Sequence, residues 1–370
     1  MTIYLDHNAT TPPHPRVLER MATVAAAAWG NPGSGHHVGR AARRELETAR
    51  EQIAAALEAH PEDVIFTSGA TESCNLAIRG LARSPGVALG LPGDHPASTE
   101  ALRGLGSQGW TLRELPLDHD GQLGDLDTID WADARLLSLL LAHNETGVVF
   151  DVDRVASHCR THRTAWHCDA SQAISRVPVS VAGLGCSALS LSGHKLRGPR
   201  GIGAVITGRN VRLIGQQVGG HQEAGRRAGT EAVALAAGLA EAVTLVVDHL
   251  HSRATRMRTL RDRFERSLAA AVPGIVINAA ATTRLPNTSS VQLPRGDGEA
   301  TLVALDLAGI CCSLGSACAS GSPEPAPILL AMGLTPEQAR RSLRFSLSPE
   351  TTEAELDQTV ATLARIVGDA

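Results

Sequence analysis

The sequence of 370 residues is poor in aromatic residues and carries little net charge. Aromatic side chains make up 2% of it, which argues against a stacking platform for single-stranded nucleic acid. Its 34 basic residues are outnumbered by 38 acidic ones, and the formal charge of −4 excludes a protein that binds polyanions through bulk charge. We therefore expect no direct nucleic-acid partner.

Cysteines and apolar segments are also too few for several protein classes. Because the seven cysteines are odd in number and form no CxxC pair, a disulfide framework is not expected. The most apolar run, 136–142, is far too short to cross a bilayer, and the first residues show no basic region followed by an apolar stretch. These features predict a soluble protein of a reducing cytoplasm with no membrane partner.

Lys195 is the only lysine in the chain, and every other basic residue is an arginine. An arginine stays protonated in proteins, whereas an amine can lose its proton and attack a carbonyl group. Chance within a biased composition also explains one surviving lysine, so its surroundings must decide. Lys195 ends the segment 192–195 (SGHK), which follows an apolar strand pattern and precedes a glycine-rich loop. This context favours a nucleophilic lysine on a turn at a strand end.

Short apolar runs alternate with helical patterns through the first two thirds of the chain. The runs that indicate buried strands are 63–67, 136–141, 164–167, 188–192 and 203–207. The helical patterns are 38–59, a stretch that follows 68–73 and runs to about 83, and 230–251. Strands separated by helices predict an α/β fold with a mostly parallel, doubly wound sheet, in which ligands collect at the strand ends.

The pattern changes after residue 251. Helices are predicted at 252–271, 298–308 and 351–367. Short strands are predicted at 275–278, 289–293 and 343–347. This mixture predicts a smaller α+β domain in the C-terminal third.

Three further segments carry residues suited to chemistry. Asp169 ends a predicted strand, where it is suited either to bond a protonated pyridine nitrogen or to cap a helix. The segment 69–73 (GATES) opens a helix after a strand, which suits one phosphate, although a capping box explains the same residues. Cys318 lies in a segment rich in Gly, Ser and Pro, which indicates an exposed, mobile loop with a reactive thiol.

Two other patterns are weaker. Residues 104–109 spell GxGxxG, but they follow a helical pattern and open no helix, so a dinucleotide site is not favoured. The histidines and cysteines within 158–168 resemble a metal cluster. They lack a CxxC pair and divide between a helix and a strand, which favours surface and core residues over a metal site.

Taken in order, these segments resemble the cysteine desulfurases of the NifS/IscS type, in the class V aminotransferase family of fold-type I pyridoxal-phosphate enzymes. Each segment alone is a weak match, but their number and order are specific and span nearly the whole chain. The matching segments are 4–12 (YLDHNATTP), 30–32 (GNP), 66–73 (FTSGATES), 144–147 (NETG), 167–172 (HCDASQ), 192–195 (SGHK), 227–230 (RAGT), 315–318 (GSAC) and 343–347 (LRFSL).

The resemblance implies the cofactor pyridoxal 5'-phosphate and a set of residues that hold it. Lys195 would carry the cofactor covalently, Asp169 would bond its pyridine nitrogen, and His95 would stack on its ring and transfer protons. The other implied contacts are Gln172 and Asn144 beside the phenolic oxygen, Ala70, Thr71, Ser192 and His194 at the phosphate, and Thr230 from the partner subunit of a homodimer.

The resemblance further implies L-cysteine as the substrate, with its carboxylate bound by Arg344 and Asn144. Cys318 would take the sulfur as a persulfide, leave L-alanine, and pass the sulfur to an acceptor protein for iron–sulfur cluster assembly or thiolation. It also implies three parts: a segment 1–12 that packs with the small domain, a large cofactor-binding α/β domain 13–251, and a small α+β domain 252–370 that carries Cys318.

Two alternatives stay open at this point. A C–S lyase, selenocysteine lyase or aminotransferase of the same family would keep the cofactor and change the products, while a non-catalytic metal or sulfur carrier would need no cofactor. The sequence departs from the family pattern at Cys74, where an acidic or amide residue is usual. The segment 143–145 (HNE), which contains His143, replaces the usual paired asparagines, and His221 stands in place of a third glycine. The region 83–92 is also shortened.

Overall fold

The computed structural model describes residues 2–314 and 325–369 of the chain. Its strands are β1 (Ile3–Tyr4), β2 (Val64–Thr67), β3 (Val87–Gly90), β4 (Thr111–Glu114), β5 (Ala134–Leu140), β6 (Ala165–Asp169), β7 (Ala188–Ser192), β8 (Gly203–Thr207), β9 (Val276–Ile277), β10 (Thr288–Gln292), β11 (Ile310–Cys311), β12 (Ser313–Leu314) and β13 (Ser342–Ser346). Its helices are α1 (Pro15–Ala27), α2 (His37–Ala56), α3 (Ala70–Leu81), α4 (Pro96–Leu105), α5 (Asp153–His162), α6 (Val181–Leu184), α7 (Val233–Asp248), α8 (Leu250–Ala271), α9 (Gly298–Leu307), α10 (Pro327–Ala331), α11 (Pro336–Arg340) and α12 (Glu353–Asp369).

A large sheet occupies the centre of the N-terminal two thirds. Within the described residues it has seven strands in the order β2-β8-β7-β6-β5-β3-β4. Every residue of β2, β7 and β8 is buried, as expected for strands covered by helices on both faces. All neighbouring strands are parallel except on the two sides of β8. The predicted mostly parallel α/β sheet is confirmed.

The reversed direction of β8 follows from its connection to β7. Residues 193–202 form only a short 3-10 turn, at Gly193–Lys195, with no α-helix. A parallel neighbour needs a crossover of a dozen or more residues, whereas antiparallel neighbours accept a short link. Since β2 in turn runs antiparallel to β8, the carboxyl ends of β2, β3, β5, β6 and β7 lie at one edge of the sheet.

A smaller antiparallel sheet follows, with the order β12-β13-β10-β9 among the described residues. It shares a core with α8, α9 and α12, in which the rings of Phe264 and Phe345 lie 5.2 Å apart between centroids. Strand β1 pairs in parallel with β11, and Leu5 is buried in the same core. This packing supports our proposed division of the chain into 1–12, 13–251 and 252–370.

The predicted helices and strands agree with the observed ones to within a few residues. The helix predicted at 38–59 already ends at Ala56, and the helix predicted at 230–251 begins only at Val233. Within 2–314 and 325–369, no single helix is long and apolar enough to cross a membrane. Helices α7 and α8 pass that test only as a pair, on length and composition, with a bend of 70° between them.

Candidate active site

The candidate active site lies at the edge of the large sheet where the carboxyl ends of its parallel strands meet. The turns after β5, β6 and β7 leave the sheet here, and α3 and α4 begin here after β2 and β3. Ligands bind at such edges in open α/β sheets. Each of these five segments carries at least one of the residues predicted from the sequence.

Lys195 ends the 3-10 turn that directly follows β7. The turn is tight, since a Cβ on Gly193 would lie 2.7 Å from the carbonyl oxygen of Pro199, and only glycine fits there. Burial lowers the pKa of the Lys195 amine, and the nearby carboxylate of Asp169 partly opposes this shift. A lowered pKa favours the neutral amine, which is the form that attacks a carbonyl carbon.

Asp169 is the buried last residue of β6. Its Oδ1 accepts a hydrogen bond of 2.8 Å from the backbone N–H of Ser171, so this oxygen does cap the following turn. Its Oδ2 lies 3.7 Å from the thiol sulfur of Cys74. The two interpretations of Asp169 are therefore compatible, because capping occupies one oxygen only. Its bond to a pyridine nitrogen stays a prediction.

The start of α3 and the end of β7 form the predicted phosphate end of the site. No side chain caps α3, which begins at Ala70 after Gly69, so the capping-box interpretation is wrong. Thr67 at the end of β2 and Ser192 at the end of β7 both pair with Gly203, the first residue of the strand between them. The uncapped helix start, where the N–H groups favour an anion, therefore lies near Ser192.

Thr71, His194 and Thr230 complete the predicted phosphate contacts. Thr71 is exposed in the first turn of α3. The Nδ1 atom of His194 lies 3.0 Å from the hydroxyl oxygen of Thr10, and burial lowers the pKa of His194 to about 4, which leaves the ring neutral at pH 7. Thr230 is exposed in the loop before α7, as its predicted contribution to a partner subunit requires.

His95 is the N-cap residue of α4. Its Nδ1 accepts a hydrogen bond of 3.1 Å from the backbone N–H of Ala97, so the proton of the neutral ring resides on Nε2. Burial, and then the charge of Lys195, lowers the pKa of His95. The neighbouring Asp94 was not predicted. Its carboxyl group is buried and accepts the backbone N–H of His95 at 2.5 Å, and burial raises its pKa.

The N-terminal segment joins Gln172 to Asn144. Gln172 donates from Nε2 to the carbonyl oxygen of Asn8 at 2.9 Å, and Asn8 donates from Nδ2 to the carbonyl oxygen of Asn144, also at 2.9 Å. No role for Asn8 is predicted from the sequence, although this residue lies within the matching segment 4–12. The side chain of Gln172 and the backbone of Asn144 are thus joined through Asn8.

Arg344 is buried in β13 between two carboxylates. Its Nη1 donates to Oε1 of Glu145 at 2.7 Å, and its Nη2 donates to Oδ1 of Asp6 at 2.8 Å. Asn144 donates from Nδ2 to the same Oε1 atom at 2.7 Å. The sequence predicted Arg344 and Asn144 as substrate ligands but missed Asp6 and Glu145. These two acids fix the guanidinium through charge-assisted hydrogen bonds.

His143 connects the turn after β5 to the loop before α4. Its Nδ1 accepts the backbone N–H of Glu145 at 3.1 Å, so its Nε2 carries the proton and donates to the carbonyl oxygen of Gly93 at 3.0 Å. Burial lowers the pKa of His143 to about 4. The residue that departs from the family pattern therefore ties the backbone next to Asn144 to the backbone next to His95.

Cys318 lies outside the described residues, but both flanks of its segment are described. Before it, Ser313 in β12 is directly across from Arg344 in β13. After it, α10 contacts the loop before α4, where a Cβ on Gly93 would lie 2.4 Å from the backbone nitrogen of Ile328. The chain that carries Cys318 thus starts and ends beside residues of the candidate site.

The two weaker patterns take no part in this site. Residues 104–109 run from the end of α4 into a 3-10 turn before β4, which confirms that they form no strand-to-helix turn. Among the described residues, no group of three or more His, Cys, Asp or Glu side chains could hold a metal ion. His158 and His162 stack on Trp131 instead, at 4.9 and 5.9 Å between ring centroids.

Comparison with known proteins assigns this chain to a family. The sequence pattern of the family described as Aminotransferase class-V matches residues 3–359. A cysteine desulfurase of Trichormus azollae is 39% identical over 371 residues, which cover 99% of this chain and 92% of the relative. The chain belongs to the class-V aminotransferase family, whose members in the cysteine desulfurase group depend on pyridoxal phosphate.

Solved structures place it more narrowly within that family. A NifS-like protein superposes with a TM-score of 0.92 at 31% identity, and both chains are covered in full. A structure described as SspA in complex with cysteine superposes with a TM-score of 0.82 at 30% identity, covering 95% of this chain and 100% of the other. The chain therefore falls among the cysteine desulfurases and has the fold of the NifS-like proteins.

The residues present at the sheet edge fit pyridoxal phosphate. The site offers an amine with a lowered pKa, a buried carboxylate and an uncapped helix start. Several buried polar atoms also lack a hydrogen-bond partner among the described residues, including Oε1 of Gln172, Oγ of Ser171 and Oδ2 of Asp94. Such atoms are costly unless a ligand or water bonds to them, and a polar cofactor supplies such bonds.

Proposed function

We propose that this protein is a cysteine desulfurase that converts L-cysteine to L-alanine with Cys318 as the sulfur acceptor. The observation that carries the proposal is the placement of its one lysine. Lys195 lies at the carboxyl edge of the sheet, close enough to Asp169 for the carboxylate to act on its pKa. The curated relatives named cysteine desulfurase support the choice of reaction.

Five elements would hold the cofactor. Lys195 would bond to it covalently, Asp169 would bond its pyridine nitrogen, and His95 would stack on its ring. Gln172 and Asn144 would lie beside the phenolic oxygen. The phosphate contacts would be the start of α3 at Ala70 and Thr71, together with Ser192 and His194 of the same subunit. Thr230 of the partner subunit would complete them. When bound, pyridoxal phosphate supplies an electron sink for negative charge at the substrate Cα.

The chain's own residues would bind and orient the amino acid. Arg344 presents a planar guanidinium, which suits a carboxylate, and the amide of Asn144 lies beside it. The neutral amine of Lys195, once released, would take the Cα proton, because burial lowers its pKa and so favours the neutral form. His95 would move a second proton through Nε2, which its bond to Ala97 leaves protonated.

The sulfur step transfers one sulfur atom from the substrate to a protein thiol. The thiolate of Cys318 would attack the substrate sulfur, so that an S–S bond forms while the Cβ–S bond breaks. The electron pair of the broken bond stays on the carbon fragment, which takes up protons and leaves as alanine. Cys318 is left as a persulfide, and atoms and electrons balance without an external oxidant.

The flanks of the Cys318 segment support this role. Leu314 pairs with Leu343, next to Arg344, and four residues of chain reach at most about 14 Å from there to Cys318. This limit on the chain length supports our proposal that the thiol acts at the substrate carboxylate site. A tether of this kind raises the local concentration of the thiol at the substrate.

We also propose a homodimer, in which Thr230 of each subunit completes the partner's phosphate contacts, and a separate acceptor protein that takes the persulfide sulfur. The exposure of Thr230 supports the first proposal. Iron–sulfur cluster assembly and thiolation are the two destinations we expect for the sulfur. We place the reaction in the cytoplasm.

Two variants test the function. The Cys318→Ala variant should keep the visible absorbance of the bound cofactor and lose the formation of alanine and sulfide from cysteine. The Lys195→Arg variant should lose the covalently held cofactor, because a guanidinium stays protonated. Full sulfur transfer by Cys318→Ala would contradict the persulfide role. Pyruvate with ammonia, or a keto acid, in place of alanine would instead identify a lyase or an aminotransferase.

A further inference from the structure

A cavity opens from the solvent to the side chain of Lys195. Its volume is about 170 Å³. Pro12 and Glu350 lie at its exposed rim, while His7 and Arg176 are buried at its floor. None of the other residues predicted to hold the cofactor or the substrate lines it. The cavity thus approaches Lys195 from a different side than the residues predicted to hold the cofactor and the substrate.

The walls of this cavity carry more positive than negative charge. Arg176, Arg197 and Arg253 line it, whereas Glu350, which pairs with Arg197, is the one acidic residue of its lining in the described part of the chain. Arg176 is 4% exposed and has no carboxylate within 4.0 Å among the described residues. Its hydrogen bonds to other described residues go to the carbonyl oxygens of Gln172, at 2.8 Å, and His7, at 3.1 Å. A buried cation without a counterion is unfavourable, and a bound anion would remove that cost.

Two buried polar atoms at the cavity have no hydrogen-bond partner among residues 2–314 and 325–369. They are Nε of Arg253 and Nδ1 of His7, and the His7 residue is 8% exposed. Burial lowers the pKa of His7 to about 4 and, with the charges of Arg253 and Arg344, lowers the pKa of Arg176 to about 9. Burial is the larger cause of both shifts, and the neighbouring arginines add to it.

Arg197, on the cavity wall, has a strained backbone conformation. Its φ of 61° lies in the left-handed region, which is strained for residues other than glycine. Its backbone N–H donates to the hydroxyl of Thr11 at 2.9 Å, and the hydroxyl of Thr11 donates to the carbonyl oxygen of His194 at 2.6 Å. The surrounding structure therefore holds this arginine at the cavity wall against a local strain.

The opposite wall of the cavity is apolar. Met257 and Leu347 are buried there, and Pro12 and Pro349 lie nearer the mouth. An inorganic anion has no apolar surface to bury against such a wall. The carbon chain of a small organic acid would be stabilised by burial against it. Guanidinium groups favour carboxylates because their N–H groups match the two oxygens.

We propose that this cavity binds a small organic carboxylate, with its charged group at Arg176 and Arg253 and its carbon chain against Met257 and Leu347. The site is separate from the substrate carboxylate site at Arg344 and does not depend on the desulfurase reaction. A carboxylate bound here would place a negative charge beside Lys195 and so raise the pKa of its amine. The occupant would thereby act on the reactive residue without contacting the substrate.

Calorimetric titration of the cofactor-loaded protein with sodium propionate tests this proposal. We expect saturable binding to the wild type and at least about tenfold weaker binding to Arg253→Gln, since one charged group that would contact the carboxylate is lost. Arg258→Gln is the matched control, because Arg258 is exposed on the same helix, outside the cavity, and the charge change is identical. Its affinity should equal that of the wild type.

Two further titrations distinguish binding in this cavity from binding at other anion sites. Arg344→Gln should keep this binding, and sodium sulfate should bind more weakly than propionate. The proposal is overturned if the wild type shows no saturable heat, if Arg344→Gln loses binding while Arg253→Gln keeps it, or if sulfate binds as tightly. Should Arg253→Gln fail to fold by circular dichroism, Arg253→Lys serves instead, with binding expected to weaken because the planar fork is lost.

Discussion

Arg344 in β13 and Glu145 in the turn after β5 form a buried ion pair, with 2.7 Å between Nη1 and Oε1. The two residues are 199 positions apart in the chain, and each belongs to a different sheet region of the molecule. Asp6 holds the other end of the guanidinium at 2.8 Å. The residue proposed to bind the substrate carboxylate is therefore oriented from the large sheet and from the N-terminal segment at once.

We expect Glu145→Gln to raise KM for cysteine about tenfold while kcat changes less, because a less firmly held guanidinium binds the carboxylate at a greater entropic cost. Steady-state kinetics with alanine detection measures both. The matched control is Glu337→Gln, which removes an ion pair of 3.4 Å to Arg341 that is largely exposed on the glutamate side. That variant should behave as the wild type. An unchanged KM in Glu145→Gln would remove the orienting role.

The buried His143 should make stability depend on pH. Its pKa is about 4 in the folded protein and near 6.5 when unfolded, so the unfolded state binds more protons between these values and stability falls as pH drops from 6.5 towards 4. Protonation of this one histidine in the unfolded state lowers the free energy of unfolding by about 2 kcal/mol at pH 5, compared with neutral pH. We expect His143→Asn to lose less stability than the wild type between pH 7 and pH 5 in urea titrations. Equal losses in both proteins would contradict this prediction.

Gly93→Ala should disturb the loop that carries His95. Gly93 has a φ of +74°, and an added Cβ would lie 2.4 Å from the backbone nitrogen of Ile328, so either the loop or α10 must shift. We expect a loss of about 2–4 kcal/mol in the free energy of unfolding and a lower kcat. The control is Gly106→Ala, since Gly106 has a negative φ and open space around the added atom. A stability equal to that of the control would refute the close packing.

Four cysteines should be unreactive in the folded protein. Cys74, Cys159, Cys168 and Cys186 are buried, and burial raises the pKa of each thiol, to about 12 for Cys159 and Cys186. Since the thiolate is the reactive form, brief alkylation at pH 7.5 should spare all four. Peptide mass spectrometry locates the labelled residues, and alkylation in urea is the control in which all four react. Rapid native labelling of Cys168 would contradict the structure.

Much of the site could be predicted from the sequence because its residues lie next to strand ends. Lys195 and Asp169 each follow an apolar run, and parallel strands bring such positions to one edge. The reversed β8 was not anticipated, although its short link to β7 carries the signal, since a chain without a crossover helix returns antiparallel.

The partners of Arg344 could not be predicted in the same way. Asp6 and Glu145 reach it only after the large sheet, the small sheet and the N-terminal strand have packed together, and no local periodicity records that packing. His143 is a related case. Its position was visible as a departure from the family pattern, but its bond to the carbonyl oxygen of Gly93 depends on where the loop before α4 lies.

The solitary lysine turns the reaction centre into its own spectroscopic label. Protein grown with isotopically enriched lysine would carry the enrichment at one side chain only, that of Lys195. A nuclear magnetic resonance spectrum of such a sample would report on that nitrogen and its adjoining methylene with no overlap from other residues. Titration, cofactor loading and occupation of the arginine-lined cavity would all be followed from a single set of signals.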